Sequence, residues 1–268
     1  MTQQLPSGQS PALTYTSYLA LDEILGAQRP RSDEHDEMLF IVIHQVYELW
    51  FKQLLHELAH LQRRLEAGDA PHALTTLKRI LTILKTIVAQ IDVLETMTPR
   101  QFTSFRTRLD AASGFQSGQF RELEAVLGRR DARMLEPYEK GTAAYERIAA
   151  AMSRRSLFDS FLLYVAGSGY DIPAEYLNRD LRVSWEPAED VQRVLVQLYG
   201  DDAGPSTVAE LLIDLDEGMQ EWRYRHAKMV ERTIGGKAGT GGSDGAAYLR
   251  STLFQATFPD LWAVRSVL

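Results

Sequence analysis

From Tyr15 onward, apolar residues recur mainly at steps of three and four, the spacing that gathers them on one face of an α-helix. YTSYLALDEILGAQ predicts a short amphipathic helix over 15–28. Pro30, Ser32 and Asp33 then break the chain, and a helix of about 30 residues follows to Leu65. A second long helix starts where Asp69 can cap and Pro71 is tolerated in the first turn, with Leu77, Leu81, Leu84, Val88 and Ile91 along one face. A further helix opens at Thr98 and Pro99 with Phe102, Phe105, Arg106 and Leu109 on one broad side, and stops in ASGFQSGQF. Helices are also expected over 120–128, 131–152, 156–166, 187–199 and 206–234, with a short last one at FPDLW. Only LRVSW, 181–185, alternates like a strand. The expectation is an all-α fold in one domain, 1–268, with a polar, loose segment 1–12 and a glycine run, GGKAGTGGSDG, over 235–245.

The longest helix contains three histidines in FIVIHQVYELWFKQLLHELAH, and its last five residues match the His-Glu-x-x-His pattern of zinc peptidases. Helical phase separates them. With Leu54 at zero and about 100° per residue, the stripe from Phe40 through Ile43, Tyr47, Phe51, Leu58 and Leu61 to Leu65 fills one sector. His44 lies inside it at about 80°, whereas His56 and His60 lie outside it at about 200° and 240°. A zinc site also needs a third ligand, and no partner for HELAH is recognisable downstream. The glycine run is no phosphate loop, because it lacks the GKS or GKT ending and follows a helix instead of a strand.

Composition narrows the chemistry. With no cysteine there is no disulfide, thiolate nucleophile or cysteine-held metal, which fits a reducing compartment and suggests a cytoplasmic protein. A formal charge of −7 gives no reason to expect a nucleic-acid partner, and no apolar run is long enough to span a membrane. Two histidines remain. His44 is either a satisfied core residue or a ligand-facing one, since a buried imidazole must find a hydrogen-bond partner. His226, in EWRYRHAKMVER among Arg223, Arg225, Lys228 and Arg232, is either an ordinary surface residue or an axial haem ligand near cations that would suit propionates.

HDEMLFIVIHQVYELWFKQLLHEL, LETMTPRQFTSFR with SGFQS, WRYRHAKMVERTIGGKAGTGGSDGAAYLR and FPDLW, in that order, closely resemble the tryptophan 2,3-dioxygenase family of the bacterial type, from about Tyr15 to the C-terminus. The resemblance implies long antiparallel helices around a haem pocket. It also implies a b-type haem, ferrous when active, with O2 as co-substrate, and a homotetramer built as a dimer of dimers. The implied reaction inserts both atoms of O2 across the indole C2–C3 bond of L-tryptophan to give N-formyl-L-kynurenine, the first step of tryptophan degradation by the kynurenine pathway. By the same resemblance His226 is the proximal iron ligand, His44 the distal histidine facing the indole N–H, and Phe40 the aromatic against the substrate ring. Arg106 is the partner of the substrate carboxylate, and Thr240, in the glycine-rich active-site loop, helps hold the ammonium and carboxylate ends. Ser113 and Gly114 lie near the haem edge, and Tyr15, Tyr18 and Leu19 reach the neighbouring subunit's pocket. Phe102 departs from the family, which commonly has tyrosine there, so the carboxylate clamp is expected to have one hydrogen bond fewer. The competing reading is a haem-binding or tryptophan-sensing protein without turnover. The joint presence of His44 and Arg106 argues against it, since retaining haem requires neither.

Overall fold

The computed structural model describes residues 12–110, 112–201, 204–237, 239 and 245–268. Among these residues there is no strand, and no helix is long and apolar enough to cross a membrane. Thirteen α-helices follow one another among the described residues. The arm comprises α1 (Tyr15–Leu19) and α2 (Leu21–Leu25), and the first hairpin α3 (His35–Glu66) and α4 (Ala70–Leu94). Shorter pieces follow: α5 (Pro99–Arg106), α6 (Gly118–Leu127), α7 (Ala143–Met152), α8 (Leu157–Gly167), α9 (Ala174–Leu177) and α10 (Glu189–Gly200). The third long helix, α11 (Gly204–Ile234), precedes α12 (Ala246–Ser251) and α13 (Pro259–Ala263).

Local chemistry sets most of the boundaries. The Asp69 carboxylate accepts from the His72 backbone N–H at the start of α4, and Gly68, at φ 70, makes the tight turn that folds α4 back along α3. Reciprocal capping boxes start α5 (Thr98 with Gln101) and α8 (Ser156 with Asp159), while Ser117 and Thr142 cap α6 and α7. The leucine stripe of α3 meets the isoleucine and leucine stripe of α4, and α4 also packs against α11. Leu58, Leu61 and Leu65 of α3 and Leu77, Ile80, Ile87 and Ile91 of α4 are almost wholly buried there. At Gly218 of α11 the Leu84 side chain of α4 lies so near that a Cβ would stand 2.7 Å from it.

Three predicted elements differ. The 15–28 helix divides at Ala20, whose backbone is left-handed (φ 50, ψ 46). The 131–152 helix is a short 3-10 turn over Ala132–Leu135 followed by α7, because Pro137 and Gly141 interrupt the intervening stretch and Thr142 offers a new cap. LRVSW is not a strand. Arg179 donates to the Val183 carbonyl at 2.6 Å and to the Asp159 carboxylate, Arg182 turns back to Asp180, and Trp185 Nε1–H donates to Asp260 at 2.5 Å. These side-chain bonds wrap the segment onto the helices in place of a ladder partner. Asp260 also accepts from the Ala188 backbone and the Gln192 side chain, while Asp216 of α11 accepts from the Thr257 and Phe258 backbones and from Trp262 Nε1. These two buried carboxylates moor the C-terminal segment.

The HELAH pair behaves as its phase predicts in one respect and differs in another. His56 is exposed, but His60 is half-buried and receives the Nε–H of Arg64 at 3.3 Å. Glu57 between them is buried and paired with Arg79. No group of three potential metal-ligating side chains occurs among the described residues.

Candidate functional site

A cavity of about 200 Å³ opens where the N-terminal half of α3, α5, the 112–115 segment, α6, α11 and α12 converge. Phe40 and His44 stand one turn apart on α3 with ring centroids at 4.1 Å, and Phe102 and Phe105 of α5 each approach Phe40 at 5.7 Å. These aromatics, with Ile43, Leu94 and Met97, form a second apolar cluster beside the main core. One end of the cavity is therefore a wall suited to a flat hydrophobic ring.

His44 has a defined hydrogen-bond state. Its Nδ1 lies 2.7 Å from the Phe40 carbonyl, an acceptor, so Nδ1 carries the proton and donates. Nε2 is left with a lone pair. Burial pushes the imidazole below its ordinary pKa, and this outweighs the opposing effects of the Phe40 carbonyl and the Glu48 charge. At neutral pH His44 is thus an uncharged hydrogen-bond acceptor on the cavity wall.

His226 enters from α11 on the same cavity. It lies deep in the protein, yet its ring borders the open space, so part of its surface remains reachable. Burial, reinforced by the charge His44 would carry if protonated, pushes it down to about 4. The Trp222 indole, one turn earlier, stacks on it at 5.0 Å and is itself packed by Phe120 at 4.7 Å. Among the described residues no hydrogen bond holds the imidazole of His226. A neutral, packed imidazole with no protein partner at the edge of a cavity is suited to ligating a metal. A neutral imidazole bordering an open cavity would suit an iron carried by a prosthetic group such as haem.

Arg106, Phe102, Ser113 and Gly114 also line the cavity, so the structure gathers them with Phe40, His44 and His226. Ser113 Oγ accepts from the Phe115 backbone at 3.3 Å, which shapes the bend of this segment. Tyr15, Tyr18 and Leu19 are not brought to the cavity of their own chain, and the two tyrosines are 75% and 71% exposed. Thr240 lies outside the described residues, as does most of the glycine run, although Gly239 and Gly245 border the cavity.

The expected basic cluster around His226 is largely dispersed. Arg225 pairs with Asp92 of α4 and with Glu95 just after it, Arg232 with Glu95, and Lys228 with Glu231, because the step of about 100° per residue puts these three on one side of α11, about 100° or more away from His226. Only Arg223 of that group lines the cavity. Sequence reasoning missed Arg121 and Glu124 of α6, a buried pair at 2.7 Å in the same wall, together with Tyr248 of α12. The signal was the i, i+3 charge pair inside QFRELEAVL, a stretch whose other side is apolar.

Comparison with known proteins gives the same direction. The profile of the family described as "Tryptophan 2,3-dioxygenase" matches residues 2–160 and 178–268. A tryptophan 2,3-dioxygenase of Anaeromyxobacter dehalogenans is 66% identical over 98% of this chain and 99% of its own length. Those of Herpetosiphon aurantiacus and Caulobacter vibrioides are 56% and 42% identical over 97% and 96% of the chain, and over 100% and 98% of their own lengths. With matches of this extent beside the two-histidine cavity, the chain belongs to the tryptophan 2,3-dioxygenase family.

Proposed function

We infer that the chain is a haem-dependent dioxygenase that cleaves the indole C2–C3 bond of L-tryptophan with O2, both oxygen atoms appearing in N-formyl-L-kynurenine. We also propose the residue roles by which the whole chain, as one unit, carries this out. The observation that carries them is the shared cavity of His44 and His226, with Arg106 and Phe40 on its walls.

His226 would hold the haem iron. Its imidazole is neutral and shielded at neutral pH, so no proton has to be expelled for its lone pair to be used. Bound through His226, haem supplies redox-active iron at which O2 is activated beside the substrate. The chain's own side chains do the rest. Arg106 grips the tryptophan carboxylate through a planar guanidinium, which fixes the amino-acid end and favours tryptophan over indole. Phe40 and Phe102 receive the ring against apolar surface. His44 accepts the indole N–H at Nε2, because Nδ1 is committed to the Phe40 carbonyl. This places a hydrogen-bond requirement on the substrate and penalises analogues that lack or block the N–H.

Phe102 withholds the hydroxyl that a tyrosine would offer to the carboxylate, leaving Arg106 to hold it with one hydrogen bond fewer. Ser113 and Gly114 border the haem edge, and Thr240 completes the binding of the amino-acid end. Tyr15, Tyr18 and Leu19 serve a neighbouring subunit in a homotetramer. The exposure of Tyr15 and Tyr18 in the single chain supports that reading, as the apolar side chains of an arm with no buried residue call for a partner.

The test is turnover by the reduced, haem-loaded protein under air with L-tryptophan, followed by the absorbance of formylkynurenine. Product that disappears in His226→Ala supports the dioxygenase and its axial ligand together. Haem binding without product would leave a carrier or sensor.

A further inference from the structure

The part of the cavity wall formed by α6 and α11 carries a charge imbalance that the roles given so far do not use. Glu124 of α6, 3% exposed, meets three guanidiniums: Arg121 at 2.7 Å, Arg129 at 3.0 Å and Arg223 at 3.4 Å. Arg129 also faces Asp131 at 3.9 Å, away from the cavity. The other two, with side chains 7% and 12% exposed, border the cavity and share the single carboxylate. Arg121 is further held by the faces of Phe115, at 4.7 Å, and Tyr248, at 6.0 Å, which fix a cation without neutralising it. Arg223 is loosely satisfied, since its remaining bond is to the Gln255 carbonyl at 3.5 Å.

Two buried cations sharing one anion are costly unless a further negative charge arrives. Planar guanidiniums, with donors beyond those used by Glu124, select carboxylate geometry. We propose that Arg121 and Arg223 form a carboxylate-binding subsite for the propionate edge of the haem, with Glu124 as the positioning residue that keeps the two forks together. The proposal rests on the haem reading above. It divides the cavity into two anion-reading ends: Arg106 for the carboxylate of the amino acid, Arg121 and Arg223 for that of the cofactor.

The experiment is the transfer of haem from the holoprotein to excess apomyoglobin, compared with loss of haem dimethyl ester, whose two carboxylates are blocked. The wild-type protein is expected to release the ester about 10-fold faster than haem or more, the scale of one charge-assisted hydrogen bond. Arg223→Gln is expected to accelerate haem loss by a similar factor and to leave the rate for the ester nearly unchanged. Arg223→Lys keeps the charge and is expected to restore part of the discrimination, which a purely packing role would not do. Equal release of haem and ester by the wild-type protein, or equal acceleration of both by Arg223→Gln, would overturn the subsite and leave the haem reading intact. Failure to take up either compound would remove both readings together.

Discussion

The state of His44 is set by a single bond to its own helix. Because Nδ1 donates to the Phe40 carbonyl, the ring offers only an acceptor to the cavity, and on the role proposed for His44 the loss of that acceptor would weaken substrate orientation while leaving the proposed iron ligand in place. His44→Ala is therefore expected to lower kcat/KM for L-tryptophan by about 10- to 100-fold, and to shrink the preference for tryptophan over its N-methyl-indole analogue, both read from steady-state kinetics. At Phe102, substitution by tyrosine adds a hydroxyl beside Arg106. The expected result is a KM for tryptophan about 3- to 10-fold lower at similar kcat, and an unchanged KM would remove the missing-hydroxyl explanation. The histidines also set a pH dependence. His226 titrates near 4 in the folded haem-free chain, against an ordinary value of 6.5, because burial disfavours its charge and His44 adds to the effect. A depressed folded pKa means that the unfolded chain binds the proton first as pH falls. Stability is then complete above about 6.5 and is lost between there and about 4, by roughly 3 kcal/mol, which urea unfolding of the haem-free protein at a series of pH values would measure. Phe40, His44 and the outward phase of His56 were legible in the 100° periodicity. Arg121 and Glu124 were not, since an i, i+3 ion pair has the same pattern whether it faces water or a cavity.

Among the elements, the boundaries capped by Asp69, Thr98 and Ser156 were legible, whereas the Thr142 cap inside the expected 131–152 helix and the contacts that fold LRVSW were not. Asp69, Thr98 and Ser156 announce their helices through residues one to three positions away. The segment around LRVSW depends on partners far along the chain: Trp185 is drawn in by Asp260 from α13, and Arg179 by Asp159 from α8. Asp260→Ala strands the donors of Trp185, Ala188 and Gln192 in the interior, and a loss of about 3 to 5 kcal/mol in denaturant unfolding is expected. Gly218→Ala tests the approach of α11 to α4. Its new methyl would overlap Leu84, so the usual gain of replacing glycine in a helix is expected to reverse into a cost of about 1 to 3 kcal/mol, seen as a lower thermal midpoint.

At the scale of the whole molecule, the three long helices form a scaffold that carries the site on several different elements, with His44 and His226 on separate long helices. The scaffold was legible because its stripes run through 25 to 32 residues, long enough for periodicity to dominate local exceptions. The role proposed for the arm rests on family resemblance, since periodicity gives it none. Its own chain gives α1 and α2 no buried residue, and leaves Leu13, Tyr15, Tyr18 and Leu25 largely exposed. Removal of residues 1–19 is expected to raise the KM for tryptophan while haem is still taken up; normal substrate affinity in the truncated protein would end the cross-subunit role.

The joint at Ala20 bears on how such an enzyme behaves when dilute. On the proposed cross-subunit role, an arm that bends at a left-handed residue and has no buried residue in its own chain would contribute to catalysis only while another copy is within reach, each pocket's competence then being lent by its neighbour. Turnover per haem then falls as the protein is diluted through its assembly constant, and a kinetic constant obtained from very dilute enzyme describes a population of half-furnished pockets.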